Sequence, residues 1–233
     1  MEPGLDRCLA FIQCQLKPSH GAKFSGSGKL RWRAVTISRQ SGAGGHVVAE
    51  KLAELLQARV PKPCPWTVFD RNLVEKVLEE HQLPARLAKF MPEDKISHIE
   101  DMLDELLGVH PPTETLVHKT AQTILHLAEL GNVIIIGRGA NVITSRLDYV
   151  FHVRLVGSLE MRAAYIQEIR GIGKAAALTF IRNEDRGRRG YLKKYFGRDI
   201  DDPRLYHLII NTDLVGHETA AKIIGEALLV DSR

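Results

Sequence analysis

The six consecutive residues Ser41-Gly42-Ala43-Gly44-Gly45-His46 have the composition of a phosphate-binding turn. Glycines leave backbone amides bare where an anion can approach, and a helix starting there adds the positive end of its dipole. The match to the P-loop pattern G-x-x-x-x-G-K-[ST] is incomplete. Aligned on Gly44, it puts Arg39 at the first glycine, Gly45 at the lysine and His46 at the serine or threonine. Two further stretches could do chemistry with phosphate. Gly137-Arg138-Gly139 follows the most apolar run in the chain, where an arginine must project into a cleft or find an acidic partner. Its planar fork suits bidentate binding of phosphate. Residues 182–194 concentrate Arg182, Arg186, Arg188, Arg189, Lys193 and Lys194 around Glu184 and Asp185. Such a run reads equally as a solvated helix face or as a cationic cover over polyphosphate.

The elements around these residues decide between the readings. Residues 33–38 form an apolar, β-branched strand, and 45–57 carry a helical apolar period, so the glycine turn lies between strand and helix. A rival sequence, Gly26-Ser27-Gly28-Lys29, has no strand before it and no apolar helix after it. Pro61, Pro63 and Pro65 impose an extended connector before a short strand over 66–70, and Asp70 is placed to cap a helix over 71–81. Interrupted helices follow over 83–109, with Pro84 and Pro92 as starts. A longer helix runs from Thr113 or Thr115 to Leu130, closed by Gly131.

Val133-Ile134-Ile135-Ile136 reads as a strand buried on both faces, which implies a parallel sheet. Residues 149–155 form another strand, and Ser158 caps a helix over 159–169. One or two helices fill 174–194, residues 205–212 form the last strand, and a helix over 218–229 closes the chain. Strands alternating with helices predict an α/β fold with a mostly parallel, doubly wound sheet. In such folds the ligand lies beyond the carboxyl ends of the strands, here residues 38–46, 137–141, 156–158 and 211–213.

Composition agrees. A chain of 233 residues with 44% hydrophobic and 26% charged residues can bury the core of one α/β domain, preceded by a flexible arm over residues 1–30. A net charge of +4 suits an anionic ligand and is too mild to imply nucleic acid. No apolar run approaches the ~20 residues that span a membrane. Cys8, Cys14 and Cys64 show neither C-x-x-C spacing nor a paired framework, and the N-terminus has no signal-peptide pattern. Both point to a reducing, cytoplasmic compartment.

Taken as a set, the motifs resemble the cytidylate kinase-like family, a branch of the P-loop nucleoside monophosphate kinases. The matching pieces are Ile37-Ser38-Arg39-Gln40-Ser41-Gly42-Ala43-Gly44-Gly45, Phe69-Asp70-Arg71, residues 131–141 and Val153-Arg154-Leu155. The likeness continues through Asp185-Arg186, Tyr195-Phe196-Gly197, Asp201-Asp202-Pro203, Leu205-Tyr206 and Asn211-Thr212. The resemblance implies a three-layer P-loop kinase fold over residues 31–233. It further implies a helical acceptor-binding insertion over 66–125 and an arginine-rich lid over 174–200. It also implies transfer of the γ-phosphoryl group of ATP to CMP or dCMP, with Mg²⁺.

By position, Ser41, Gly42, Ala43, Gly44, Gly45 and His46 would cradle the donor phosphates, and Asp70, Arg71 and Arg138 would bind the acceptor. Arg39, Arg138, Asp185 and Arg188 would act in catalysis, with Arg182, Arg186 and Arg189 in the lid; no residue is implied as the metal's ligand. Gly45 departs from the lysine of true cytidylate kinases, as is common in this branch, and Arg39 or a lid arginine would supply the missing charge. Two other readings share the scaffold: a nucleotide-binding module without turnover, and a phosphotransferase for a different small acceptor.

Overall fold

The computed structural model describes Ala10, Phe11, Gln13 and Cys14 together with residues 31–60, 64–70, 93–107 and 116–230. Five parallel strands, β1 (Ala34–Arg39), β2 (Thr67–Phe69), β3 (Val133–Ile136), β4 (Val150–Val156) and β5 (Leu208–Asn211), lie in the order β2-β3-β1-β4-β5. The helices are α1 (Gly45–Arg59), α2 (Glu93–Leu107), α3 (Leu116–Leu130), the single turn α4 (Ala140–Ile143), α5 (Leu159–Arg170), α6 (Lys174–Phe196) and α7 (His217–Val230).

The apolar run of β3 shows why three layers form. Successive side chains of a strand point to opposite faces. Val133 and Ile135 pack with Ile124 and Leu127 of α3, while Ile134 and Ile136 pack with Val48 and Leu52 of α1 and Ile224 of α7. All four residues are buried, so β3 needs helices on both sides, and the doubly wound parallel sheet is the result. Ser158 caps α5 by accepting from the Met161 amide, and Gly131, at φ 79°, ends α3. The expected helices over 174–194 are one 23-residue helix, α6.

Three expectations need correction or limits. The last strand starts at Leu208 rather than 205, because Asp202 caps a 3₁₀ turn over Pro203–Leu205 and Pro203 cannot donate to a ladder. Cys14 and Cys64 are joined in a disulfide with Cα atoms 5.7 Å apart, against the expectation of no paired framework. Phe11, inside the stretch expected to be a flexible arm, is fully buried with its ring 5.5 Å from that of Phe69. The helix over 71–81, most of the proline connector, Arg71, Cys8 and the Gly26-Ser27-Gly28-Lys29 decoy lie outside the described residues. No helix among the described residues is long and apolar enough to cross a membrane.

Two predictions follow from the core. Reducing the disulfide that ties Cys14 to Cys64 frees a 50-residue loop in the unfolded chain. The chain-entropy account sets a loss of at most about 4 kcal/mol. Cys14→Ser should therefore melt several degrees below the oxidised protein in a non-reducing thermal scan, and dithiothreitol should lower the wild type to the same point. The second prediction concerns acid. Burial pushes His126 down to about 4. Burial, and then neighbouring His207, pushes His152 down to about 3, with Thr36 Oγ1 hydrogen-bonded to its Nδ1 at 2.9 Å. Both folded values lie below the unfolded one. The unfolded chain therefore binds more protons between about pH 6.5 and pH 4, and stability falls on acidification through that window by about 1.4 kcal/mol per pH unit for each histidine. Urea titrations at stepped pH should show this slope, roughly halved in His126→Gln.

Candidate functional site

The glycine loop forms as its sequence requires. Gly42 (φ 85°) and Gly44 (φ 72°) take left-handed backbone that side chains disfavour, and Gly44 caps α1 with no side chain in the way. Space is equally restrictive: a Cβ on Gly44 would fall 2.1 Å from Nε2 of His217, the first residue of α7. The Gln40 amide donates to Leu155 O (3.0 Å), and Gln40 Oε1 accepts from the Gly157 amide (2.9 Å), fastening the loop to the end of β4. The N-terminal turn of α1 thus opens toward the carboxyl ends of β1 and β4, where a parallel sheet places its ligand.

A cavity of about 380 Å³ lies against this loop, bordered by Gly44, Gly45, His46 and Asp70 and, across from them, by Arg170 and Phe180 of α5 and α6. The Arg170 guanidinium stacks on Phe180 at 4.1 Å. His46 Nε2 is 3.9 Å from Asp70 Oδ2. Burial nevertheless holds the imidazole below its ordinary value, helped by Arg39 and Arg188 against the pull of Asp70, so the ring is neutral at pH 7. A second cavity of about 280 Å³ lies beside Gly137-Arg138-Gly139 and includes Asn141, Asn183 and Tyr191. Arg39, Glu184 and Arg188 line both cavities and so form the wall between them.

Arg138 occupies this second site under backbone constraint. It has φ 55° between Gly137 (81°) and Gly139 (69°), a left-handed conformation that costs a non-glycine residue about 1–2 kcal/mol. The tight turn lets Ala140 begin α4, with its amide on Gly137 O at 3.0 Å, and aims the guanidinium toward the Tyr191 ring, 5.8 Å away. Strain held at the end of a core strand is a mark of a functional position. Arg39 leaves the end of β1 toward the same place. Burial first, and the Arg188 guanidinium second, push it down to about 10, with Arg138 adding to the repulsion and Asp70 and Glu184 opposing it.

Asp185 and Arg188 of α6 are bound into the loop itself. Asp185 Oδ1 accepts from the Ser41 amide (2.7 Å) and from Arg188 Nη1 (3.1 Å), while its Oδ2 accepts from Arg162 Nη1 (2.7 Å). Arg162, 8% exposed, also donates to Ser41 O and Gly157 O. One buried arginine therefore joins the glycine loop, the β4–α5 turn and α6. The other arginines expected in a lid divide. Arg189 pairs with Asp201 (2.9 Å), whereas Arg182 and Arg186 are exposed and border neither cavity.

Several contributors have no individual role assigned from the sequence: Arg162, Gln40, Glu184, Asn141, Tyr191 and His217. Arg162 had a signal, being a charge one turn inside the helix that Ser158 caps, directly after a core strand. Arg154 had a stronger one, lying between two buried apolar residues of β4. It donates to Ser38 Oγ (3.0 Å), a residue that lines the second cavity, and to Asp201 Oδ1 (2.6 Å).

Solved structures of similar fold include an uncharacterized protein from Eubacterium ventriosum ATCC 27560. It is 22% identical, with a TM-score of 0.63 over 86% of this chain and 98% of that one. The shikimate kinase of Bacteroides thetaiotaomicron (16% identity, TM-score 0.45, 84% of this chain and 97% of that one) is more distant. So is the shikimate kinase of Acinetobacter baumannii in complex with shikimate (17%, 0.45, 86% and 94%). Among curated proteins, none matches. The model of the cytidylate kinase-like family matches residues 34–214, from the first residue of β1 to just beyond β5, and the chain belongs to that family.

Proposed function

We propose that the protein is an ATP-dependent nucleoside monophosphate kinase-like phosphotransferase that converts CMP or dCMP to the diphosphate. The observation that carries this reading is the pair of cavities divided by Arg39, Glu184 and Arg188. Phosphoryl transfer asks for donor and acceptor on either side of a cationic partition, held in line, with little covalent chemistry from the protein.

In this reading the glycine loop and the α1 N-terminus hold the triphosphate, and the Arg170–Phe180 shelf takes the base of ATP. Arg138 binds the acceptor phosphate, one of whose oxygens attacks the γ-phosphorus while the bridging oxygen leaves with ADP. Asn141 is 5% exposed, and its Nδ2 has no hydrogen-bond partner among the described residues, a buried donor suited to a carbonyl such as O2 of cytosine. Asp70 and Glu184 on the loop-side cavity are hard oxygen donors that fit Mg²⁺. When bound, the ion neutralises charge on the donor phosphates.

A second reading, a nucleotide-binding module without turnover, is favoured by Gly45 in place of lysine and by Asp185 on the Ser41 amide. ADP release with CMP, dCMP, UMP and AMP, each with and without Mg²⁺, separates the two. Transfer to the cytidine nucleotides in Mg²⁺ is expected, and no turnover with any acceptor sinks the kinase reading. Arg138→Ala should abolish transfer while leaving ATP affinity, read by calorimetry, nearly intact.

A further inference from the structure

We propose that Arg39 replaces the P-loop lysine, delivering its cation to the donor phosphates from the end of β1, and that Gly45 is glycine because the Arg39 stem fills the space a side chain there would need. This rests on the phosphotransferase reading and deepens it. Gly42 and Gly44 are glycines for backbone reasons, but Gly45 is not: its φ is not positive and it is the first residue of a helix. In helices glycine is the least favourable residue after proline, about 1 kcal/mol worse than alanine. Something other than backbone conformation must exclude a side chain. A Cβ on Gly45 would lie 3.0 Å from Arg39 Cγ, 3.4 Å from Cδ and 3.5 Å from Cβ, the whole aliphatic stem.

Arg39 then passes a second glycine, Gly137, whose φ of 81° already favours glycine; a Cβ there would fall 2.1 Å from Arg39 Nη1, the movable end of the side chain. Arg39 thus runs beside Gly45 at the lysine position and past Gly137, and it lines both cavities. There it faces Arg138 and Arg188, with Asp70 and Glu184 as the nearby acids. A guanidinium crowded by two others gains most from an arriving anion, and its fork can span two phosphate oxygens where a lysine offers one point charge. The loop has therefore exchanged a lysine on the helix for an arginine on the strand.

The exchange can be run backwards. Calorimetry with ATP and with AMP on the full chain, alongside ADP release, should compare wild type, Arg39→Gln, Arg39→Ala, Gly45→Lys and the double variant Arg39→Ala/Gly45→Lys. Arg39→Gln should weaken ATP by about ten- to a hundredfold, the scale of one charged hydrogen-bonded contact, and leave AMP unchanged. Gly45→Lys alone should also weaken ATP, because its stem displaces Arg39. The double variant, with a lysine in the vacated space, should regain most of the loss. ATP binding by Arg39→Gln equal to wild type, or a double variant no better than Arg39→Ala, overturns the proposal. If Arg39→Gln does not melt as a folded protein, the double variant against wild type decides by the same measure. A wild type that binds ATP but never turns over defeats the kinase reading alone. Turnover with ATP affinity indifferent to Arg39 defeats this proposal alone.

Discussion

Positive charge gathered at one point beyond the sheet is the constraint on which the rest of the site depends. Arg39, Arg138 and Arg188 come from β1, from the turn after β3 and from α6, and burial together with the other two guanidiniums pushes Arg39 below its ordinary value. Like charges in a partly buried place repel strongly. They are tolerated because Glu184 and Asp185 answer Arg188 at 2.9 and 3.1 Å and because the backbone holds the others in position. The core exists to aim these groups: β1 lies between β3 and β4, and the turns after β1 and β3 open at the same end of the sheet.

Arg162 ties the arginine-rich helix α6 to this frame. It is nearly as buried as a core leucine, yet all its described bonds run to the loop carbonyl of Ser41, the carbonyl of Gly157 and the carboxylate of Asp185. α5 and α6 pack through Ala163, Ile166, Ala177 and Ile181, so a shift of α6 would be felt at the Ser41 amide. The carboxylate of Asp185 occupies an amide that a phosphate could also use. An anion arriving at Ser41 N would have to displace Asp185, whose 2.7 Å bond to that amide ties α6 to the loop.

Much of this was legible in the residues, and the reasons for the gaps are physical. Strand, glycine turn and helix over 34–59 declare themselves because β-branched runs, bare glycines and a helical apolar period leave little choice. The charged run of α6 gives its helix but not its inward face. That face needs the helical phase: Glu184, Arg188 and Tyr191, spaced four and three apart, turn toward the cavities, while Arg182 and Arg186 turn away. The start of β5 was misjudged because apolar content at Leu205 and Tyr206 suggested a strand where Asp202 and Pro203 make a turn. The Cys14–Cys64 pair, 50 residues apart, is a tertiary fact that spacing does not reveal.

Gly45, the departure from the P-loop pattern at the lysine position, changes meaning in three dimensions. A lost lysine in a decaying kinase would leave a void beside the helix N-terminus, open to any side chain. Here the Arg39 stem lies against that place, with Cγ 3.0 Å from where a Cβ on Gly45 would stand. A glycine beside the stem of an arginine at the cavity junction leaves room for that charge where a lysine stem would compete with it. A binding module that needed the glycine loop alone would gain nothing from holding a third guanidinium against Arg138 and Arg188. Charge concentrated where two cavities meet is what a migrating phosphoryl group demands.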